Sequence, residues 1–207
     1  MLTMHSRYPI PAGLSRADIR VSNSRFIAQA TYTPTVELAK AFIAGVREAM
    51  PDASHHVYGY VVGYGASVTA GMSDDGEPSG TAGRPVLAVV RGSRLGDVCV
   101  VVTRYFGGTL LGTGGLVKAY GDAAKAVLAE LPRKEKIELS TLSLVVPYAL
   151  YEPLTLLIAS HSGTVDAEAF AGDVQLQISL PVDQVAPFRD AVRERSSGKI
   201  AVTAAAL

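Results

Sequence analysis

The chain has 207 residues, 48% of them apolar and 18% charged, which is typical of a globular protein able to bury a sizeable core. Its 19 basic and 19 acidic side chains cancel, which excludes the strong overall field of a dedicated non-specific DNA-binding protein. The single cysteine, Cys99, excludes an intrachain disulfide and a thiolate metal cluster. Because no apolar segment has the length of a membrane span or the position of a signal peptide, we expect a cytoplasmic protein with no membrane partner.

The N-terminal part of the chain predicts a strand followed by a helix. Residues 1–23 are polar and contain proline, which indicates a loose arm or an edge element. Apolar and polar residues then alternate over 24–32, which predicts a half-buried strand. Thr33 as N-cap and Pro34 at the first helical position predict the start of a helix that ends before Pro51.

The middle of the chain predicts two strands separated by a long loop. Residues 57–64 are aromatic and β-branched and predict a strand, and residues 65–84 read as a loop of Gly, Ser and Asp. Residues 85–90 fit either a short helix, from the proline at its start, or a strand, from its valines. Residues 97–106 are apolar at both even-numbered and odd-numbered positions, which predicts a central strand covered on both faces. A glycine-rich turn at 107–115 then leads into an amphipathic helix.

A charged joint at residues 133–136 divides the chain into two predicted domains, 1–133 and 134–207. The first carries 13 Lys and Arg against 10 Asp and Glu, and the second 6 against 9. Beyond the joint the predicted order is strand, helix, strand, strand, helix, strand, which is the ferredoxin-like β-α-β-β-α-β arrangement. The expected fold class is therefore α+β with two domains.

The loop at residues 73–85 carries the first candidate site. Its carboxylates suit a cation, but the spacing of a calcium-binding EF-hand is missing. Its hydroxyls, glycine amides and arginine suit a phosphate group just before a helix start. The alternative is a turn-rich loop whose Asp and Ser side chains bond to its own backbone. The candidate residues are Asp74, Asp75, Glu77, Ser79, Thr81 and Arg84.

The segment 103–118 carries the second candidate site, with five glycines between the buried strand and the next helix. Free amides and the helix dipole favour an anion there, and the flanking arginine and lysine add positive charge. The order of residues is neither that of the Walker motif nor GxGxxG. The alternative is a tight connection that needs the positive φ of glycine. The candidate residues are Arg104, Tyr105, Gly107, Gly108, Gly114, Gly115 and Lys118.

Two groups of ring side chains lie on the predicted strand at 57–64 and just before it. His55 and His56 point to opposite faces, so we expect hydrogen-bonding roles rather than joint metal binding. Tyr58, Tyr60 and Tyr64 all stand at even-numbered positions and so lie on one face of the predicted strand. Packing against a helix is the favoured interpretation, and stacking on nucleic-acid bases is the alternative. The sequence contains no motif that indicates a metal, a cofactor or a known catalytic constellation.

Four segments together resemble the YigZ/IMPACT family, and they are residues 53–55, 73–85, 101–108 and 112–120. The two long glycine-containing blocks are specific to that family, and the resemblance is strong over residues 15–131. The family usually reads His-Asn-Cys-Trp-Ala-Tyr where this chain reads His-His-Val-Tyr-Gly-Tyr at 55–60, so its cysteine and tryptophan have no counterpart here. His55 matches and joins the candidate nucleic-acid or phosphate site.

The resemblance implies the fold of each domain. The first should share the α/β sandwich of a small-subunit ribosomal protein domain, domain IV of elongation factor G and the GHMP kinases. The second should look like domain V of elongation factor G. The resemblance also implies that residues 85–92 are helical.

The resemblance implies a regulatory or RNA-binding or ribosome-binding role connected with translation, through an anion-accepting cleft in the first domain. Eukaryotic IMPACT relatives act in translational control during amino-acid starvation by competing for a protein partner. The expected partners are therefore RNA, the ribosome or a translation-associated protein, and no cofactor is expected. The alternative is an enzyme acting on a phosphorylated small molecule or nucleotide, with Asp75 or Glu77 as base or metal ligand and Arg84 and Lys118 holding the phosphate.

Overall fold

The computed structural model describes residues 7–65 and 67–205. Within these ranges the strands and helices follow one another in this order: β1 (Arg7–Pro11), β2 (Ser15–Val21), β3 (Ser24–Tyr32), α1 (Val36–Ala49), β4 (His55–Tyr64), β5 (Ser67–Ser73), α2 (Gly83–Gly92), β6 (Val98–Tyr105), α3 (Gly112–Glu130), β7 (Arg133–Ile137), β8 (Leu139–Val146), α4 (Tyr148–Ser160), β9 (Thr164–Phe170), β10 (Val174–Pro181), a 3-10 turn (Val182–Gln184), α5 (Val185–Arg195) and β11 (Val202–Ala204).

The chain divides into two compact units, Met1–Lys136 and Ile137–Leu207. Each unit contains both a sheet and helices, so the expected α+β class with two domains is confirmed. The charged segment expected to be a joint forms β7, which pairs with β1. Of the predicted arm, residues 1–6 lie outside the described residues.

The first unit is built on a five-stranded sheet with the order β2-β3-β6-β4-β5, in which all neighbours are antiparallel. The central strand β6 is buried on both faces, as its apolar run predicts. Helices α2 and α3 cover one face, where Phe26, Val57, Val102 and Tyr120 belong to one buried apolar cluster. Helix α1 packs on the other face over β4 and β6.

Two predictions for the first unit are wrong. Part of the predicted loop at 65–84 is the edge strand β5, in which Val68, Ala70 and Met72 alternate with small polar residues and glycine. Helix α1 begins after Thr35, whose hydroxyl oxygen accepts a hydrogen bond from Leu38 N at 3.2 Å. The predicted cap, Thr33, instead donates its backbone N–H to Asp97 O at 2.8 Å.

Three other predictions for this unit are confirmed. Residues 85–92 are helical, as the resemblance implies. Strand β2 lies at one edge of the sheet, which agrees with the prediction of an edge element within residues 1–23. Tyr58 and Tyr60 stack at a centroid distance of 6.2 Å and pack with the cluster under α1, so core packing is the correct interpretation for these two rings.

The second unit has the predicted β-α-β-β-α-β order, with the antiparallel sheet β11-β8-β10-β9. Its core lies between this sheet and helices α4 and α5, where Leu144, Leu176 and Ile178 pack with Phe188. No helix among the residues that the structure describes has both the length and the apolar character needed to cross a membrane.

Candidate functional site

The two candidate segments of the first unit meet at a buried ion pair. Arg104, at the end of β6, donates from Nη1 to Glu77 Oε1 at 2.7 Å. Arg104 is 5% exposed and Glu77 is 8% exposed. His55 lies directly opposite Arg104 in the β4–β6 register. The loop after β5, the start of β4 and the end of β6 therefore form one structure.

Aromatic rings hold the Arg104 guanidinium in place. Its central carbon lies 5.5 Å from the ring centroid of Phe26 and 5.4 Å from that of Phe106, both within cation–π range. Nη2 donates to the hydroxyl oxygen of Ser24 at 3.3 Å. Among the described residues the buried Nε has no hydrogen-bond partner. The position of Arg104 is thus fixed by packing as well as by its carboxylate.

Glu77 accepts a second hydrogen bond from the hydroxyl group of Tyr120, at 2.7 Å from the same oxygen, Oε1. Burial raises the pKa of Tyr120 and the Glu77 carboxylate raises it further, so the hydroxyl keeps its proton and acts as a donor. His55 Nε2 lies 3.9 Å from the same Glu77 oxygen. His55 Nδ1 lies 2.7 Å from Asp75 O, and it must donate there because a carbonyl oxygen only accepts.

A pocket of about 350 Å³ opens beside this network, lined by the start of β4, the loop before α2, the turn after β6 and the first turn of α3. This volume falls within the usual range for ligand sites. Apolar side chains lie among its lining residues: Phe106 is 48% exposed and Leu110 is 87% exposed. The pocket therefore combines a buried ion pair with exposed apolar surface.

The N-terminus of α3 contributes the polar part of the pocket. Its N-cap position, Leu111, provides no side-chain hydrogen bond, and the first turn contains no acidic residue. Gly112, Thr113 and Gly114 are exposed, and Gly115 is half-buried. The first backbone N–H groups of a helix have no partner within the helix and form the positive end of its dipole. This end of α3 therefore favours an anion beside the pocket.

Gly107 and Gly108 have backbone roles in the turn before α3. A Cβ atom on Gly107 would lie 1.9 Å from Asn23 O, so only glycine allows this approach to the turn between β2 and β3. Gly108 has a φ of +80°, a conformation that favours glycine. These two residues fix the turn between Phe106 and Leu110, both of which line the pocket.

The carboxylate of Asp74 organises the loop before α2 rather than the pocket. It accepts backbone hydrogen bonds from Gly80, Ala82 and Gly83 at 2.9, 3.1 and 2.8 Å. Burial acts to raise the pKa of Asp74, but these three N–H donors outweigh it and the pKa is lowered. Thr81 likewise donates its hydroxyl hydrogen to Pro78 O at 2.6 Å.

Asp75 is also engaged within the protein. Its Oδ2 accepts the backbone N–H of His56 at 2.6 Å, and its Oδ1 forms a salt bridge with Arg47 of α1. No group of three or more His, Cys, Asp or Glu side chains within the described residues is arranged to hold a metal ion.

The remaining candidate residues lie at or beyond the rim. Ser79 and Arg84 are exposed. Tyr105 points to the opposite sheet face from Arg104, because neighbouring strand residues alternate, and its hydroxyl donates to Asp52 Oδ1 at 3.1 Å. Lys118 is 80% exposed in its side chain and pairs with Asp122 at 2.5 Å, outside the pocket lining.

Sequence reasoning missed three residues that complete this site. Phe106 and Leu110 supply its exposed apolar surface, and Tyr120 holds Glu77 from α3. The signal for Phe106 and Leu110 was present, since large apolar residues stand within a glycine-rich turn where no core is expected. Tyr120 lies on the apolar face of the predicted helix, where its position indicates an ordinary core residue.

Comparisons with known proteins match nearly the whole length of the chain. The Impact N-terminal domain matches residues 22–128, and a domain of unknown function, DUF1949, matches residues 144–199. The protein named IMPACT family member YigZ, of Escherichia coli strain K12, is 39% identical over 196 residues, which cover 94% of this chain and 96% of that protein. An IMPACT family member of Haemophilus influenzae is 33% identical over 198 residues, covering 95% of this chain and 96% of that one.

A solved structure described as that of a hypothetical protein matches 97% of this chain and 98% of its own. The two sequences are 38% identical and the TM-score is 0.70. The likeness therefore extends over both units of the chain.

Proposed function

The chain belongs to the IMPACT family, and we propose that it is a translation-related protein that binds single-stranded RNA in the pocket beside α3. One observation carries the proposal: the uncapped, glycine-rich start of α3 opens next to the exposed ring of Phe106. A nucleotide offers the two complementary features, a phosphate group and a flat base.

The phosphate is bound by backbone rather than by a side-chain cation. The exposed N–H groups at the start of α3 point along the helix axis to solvent, and the glycines there leave no side chain in the way. A Cβ atom on Gly114 would meet no atom within 4 Å, which shows how open the space around it is. An RNA phosphate therefore has room to approach these donors closely.

The base stacks on Phe106. A half-exposed ring next to a phosphate site is the usual arrangement of single-strand binding surfaces, and each stacked base contributes about 1–3 kcal/mol. The Arg104 guanidinium lies against the ring of Phe106 and orients it. Because Arg104 is paired with Glu77, its role is to position the ring rather than to attract RNA from a distance.

Binding of labelled single-stranded RNA, followed by fluorescence anisotropy at several salt concentrations, tests the proposal. Gly114→Asp places a negative charge at the helix start, which should stabilise α3 and repel a phosphate. We expect its affinity for RNA to fall about tenfold or more, equivalent to about 1.4 kcal/mol. Gly114→Ala, the matched control without charge, should bind like the original chain. Equal affinity of the aspartate variant would refute the site.

The link to translation is tested separately by co-sedimentation with ribosomes at low and high salt. We expect association at low salt that weakens as salt rises, because contacts to phosphate groups are screened and release counterions. Gly114→Asp should reduce the bound fraction. Ribosome association unaffected by this substitution would place the contact elsewhere.

A second candidate function is an enzyme acting on a nucleotide, favoured by the size of the pocket and by His55 beside Glu77. The proposed base Asp75 has both carboxylate oxygens engaged, and Glu77 receives hydrogen bonds from Arg104 and Tyr120. His55 would then be the group that moves a proton. Calorimetry with nucleoside triphosphates, with and without magnesium, separates the functions, because tight magnesium-dependent binding supports the enzyme.

A further inference from the structure

The five-stranded sheet carries a row of arginines on the face opposite the pocket. Arg16 and Arg20 of β2 and Arg25 of β3 share this face, which we call the arginine face. The register places Arg20 directly opposite Arg25. Arg16 and Arg20 are four positions apart along the strand, so their Cα atoms lie roughly 13 Å apart on the same side. Helix α1 packs on this side over β4 and β6 and leaves the arginines of β2 exposed.

We propose that the arginine face contacts the phosphate groups of an RNA strand that continues beyond the pocket at the end of the sheet. This inference rests on the proposed RNA binding and adds a second contact surface to it.

The charge of the arginine face favours a polyanion. Two acidic side chains lie near it: Asp18 accepts hydrogen bonds from Arg25, with Nε at 2.8 Å, and Asp52 accepts one from Tyr105 at 3.1 Å. The hydrogen bond from Arg25 is the main cause that lowers the pKa of Asp18, and the charges of Arg20 and Arg16 lower it further. Within the described part of the chain, Arg16 and Arg20 form no hydrogen bond or salt bridge. Two guanidinium groups are thus available, in the geometry that suits phosphate oxygens.

The arginine face and the pocket are joined at one end of the sheet. Tyr105 lies on the arginine face, opposite Arg25 in the β3–β6 register. The next residue, Phe106, belongs to the pocket. These two consecutive side chains therefore connect the two surfaces. An RNA strand whose base stacks on Phe106 reaches the arginine face by passing Tyr105.

Charged side chains on an edge strand also have a simpler explanation, since they discourage pairing with other chains. That explanation requires charge but no contact with phosphate. The two explanations differ in how RNA affinity depends on salt, because each phosphate contact in single-stranded nucleic acid contributes about 0.7 to the slope of log K against log salt.

The double variant Arg16→Gln with Arg20→Gln tests the proposal on the full chain. Its matched control is Lys40→Gln with Lys125→Gln, which removes the same charge from exposed helix positions of the same unit. Thermal unfolding establishes that both variants fold. With a long single-stranded RNA, the arginine variant should lower the salt slope by about 1.4, while the control leaves it unchanged. With a short oligonucleotide that fills only the pocket, both variants should bind like the original chain.

Each outcome bears on a different claim. If the long RNA binds and its salt slope is the same in the arginine variant, the arginine face is not a contact surface, while the pocket stands. If Gly114→Asp is without effect and the arginine variant is weakened, the pocket fails and the arginine face stands. If neither RNA binds the original chain at low salt, both proposals are overturned.

Discussion

Glu77 Oε1 lies 2.7 Å from Arg104 Nη1, and this contact joins the loop before α2 to the end of the central strand β6. Both side chains are almost completely buried. Tyr120 of α3 donates to the same carboxylate oxygen. One carboxylate therefore holds together the loop, the sheet and the helix that border the pocket.

Glu77→Gln removes the negative charge and leaves Arg104 buried without its counterion. Breaking a buried pair by removing one partner costs about 3–5 kcal/mol, so we expect a loss of that size in the free energy of unfolding. Equilibrium unfolding in urea measures it. The double variant Glu77→Gln with Arg104→Met should lose less than the sum of the two single variants, because no uncompensated charge remains. Strict additivity would show that the two groups are not coupled.

Gly107→Ala should destabilise the first unit. The added Cβ would lie 1.9 Å from Asn23 O, so the turn after β6 must move away from the turn between β2 and β3. Inserting an atom into tightly packed structure costs about 1–3 kcal/mol, and urea unfolding would measure that loss. Gly114→Ala is the control, since its Cβ meets no atom within 4 Å and alanine is the better helix former. Equal stability of the two variants would contradict the close approach.

His56 should make the stability of the protein depend on pH. Its Nδ1 lies 3.1 Å from Thr103 Oγ1, and burial lowers its pKa although the charge of Asp75 acts to raise it. The unfolded chain, with a histidine pKa of about 6.5, then binds a proton before the folded chain does. The free energy of unfolding should therefore decrease as the pH falls below about 6.5.

Urea unfolding between pH 5 and pH 8 measures this dependence. In His56→Gln the decrease below pH 6.5 should be smaller, while the two proteins should show parallel behaviour above pH 7. Identical curves at low pH would exclude His56 as a source of the effect.

The parts of the fold that have a strong periodic pattern could be predicted from sequence. Strand β6 is apolar on both faces, which predicts a central strand of the first sheet. In β10, Val174, Leu176 and Ile178 alternate with polar residues, which predicts a strand of the second sheet with one buried face. Edge strand β5 was missed although Val68, Ala70 and Met72 alternate, because the Gly, Ser and Asp residues around it are typical of a loop and Ala70 and Gly71 supply little side-chain surface. The start of α1 was misplaced by two residues because Thr33 and Thr35 are both suitable caps and a tertiary contact to Asp97 decides between them.

For the candidate site, sequence identifies the segments but not the direction of each side chain. The glycine blocks locate both walls of the pocket, which are in contact through Glu77 and Arg104. The adjacent residues Arg104 and Tyr105 point to opposite faces, a difference that appears only once the register of β6 is known. Asp74 and Thr81 resemble ligand residues by type, yet their hydrogen-bonding capacity is used by their own loop.

An NMR titration of the isotope-labelled chain with a short single-stranded RNA tests the central claim most directly. RNA held by the helix start and stacked on the aromatic ring should shift the backbone amide signals of Gly112, Thr113 and Gly114 and the ring signals of Phe106. Saturating shifts confined to these groups and their neighbours are the expected result. Binding that leaves all four residues unchanged, or no binding at low salt, would contradict the account.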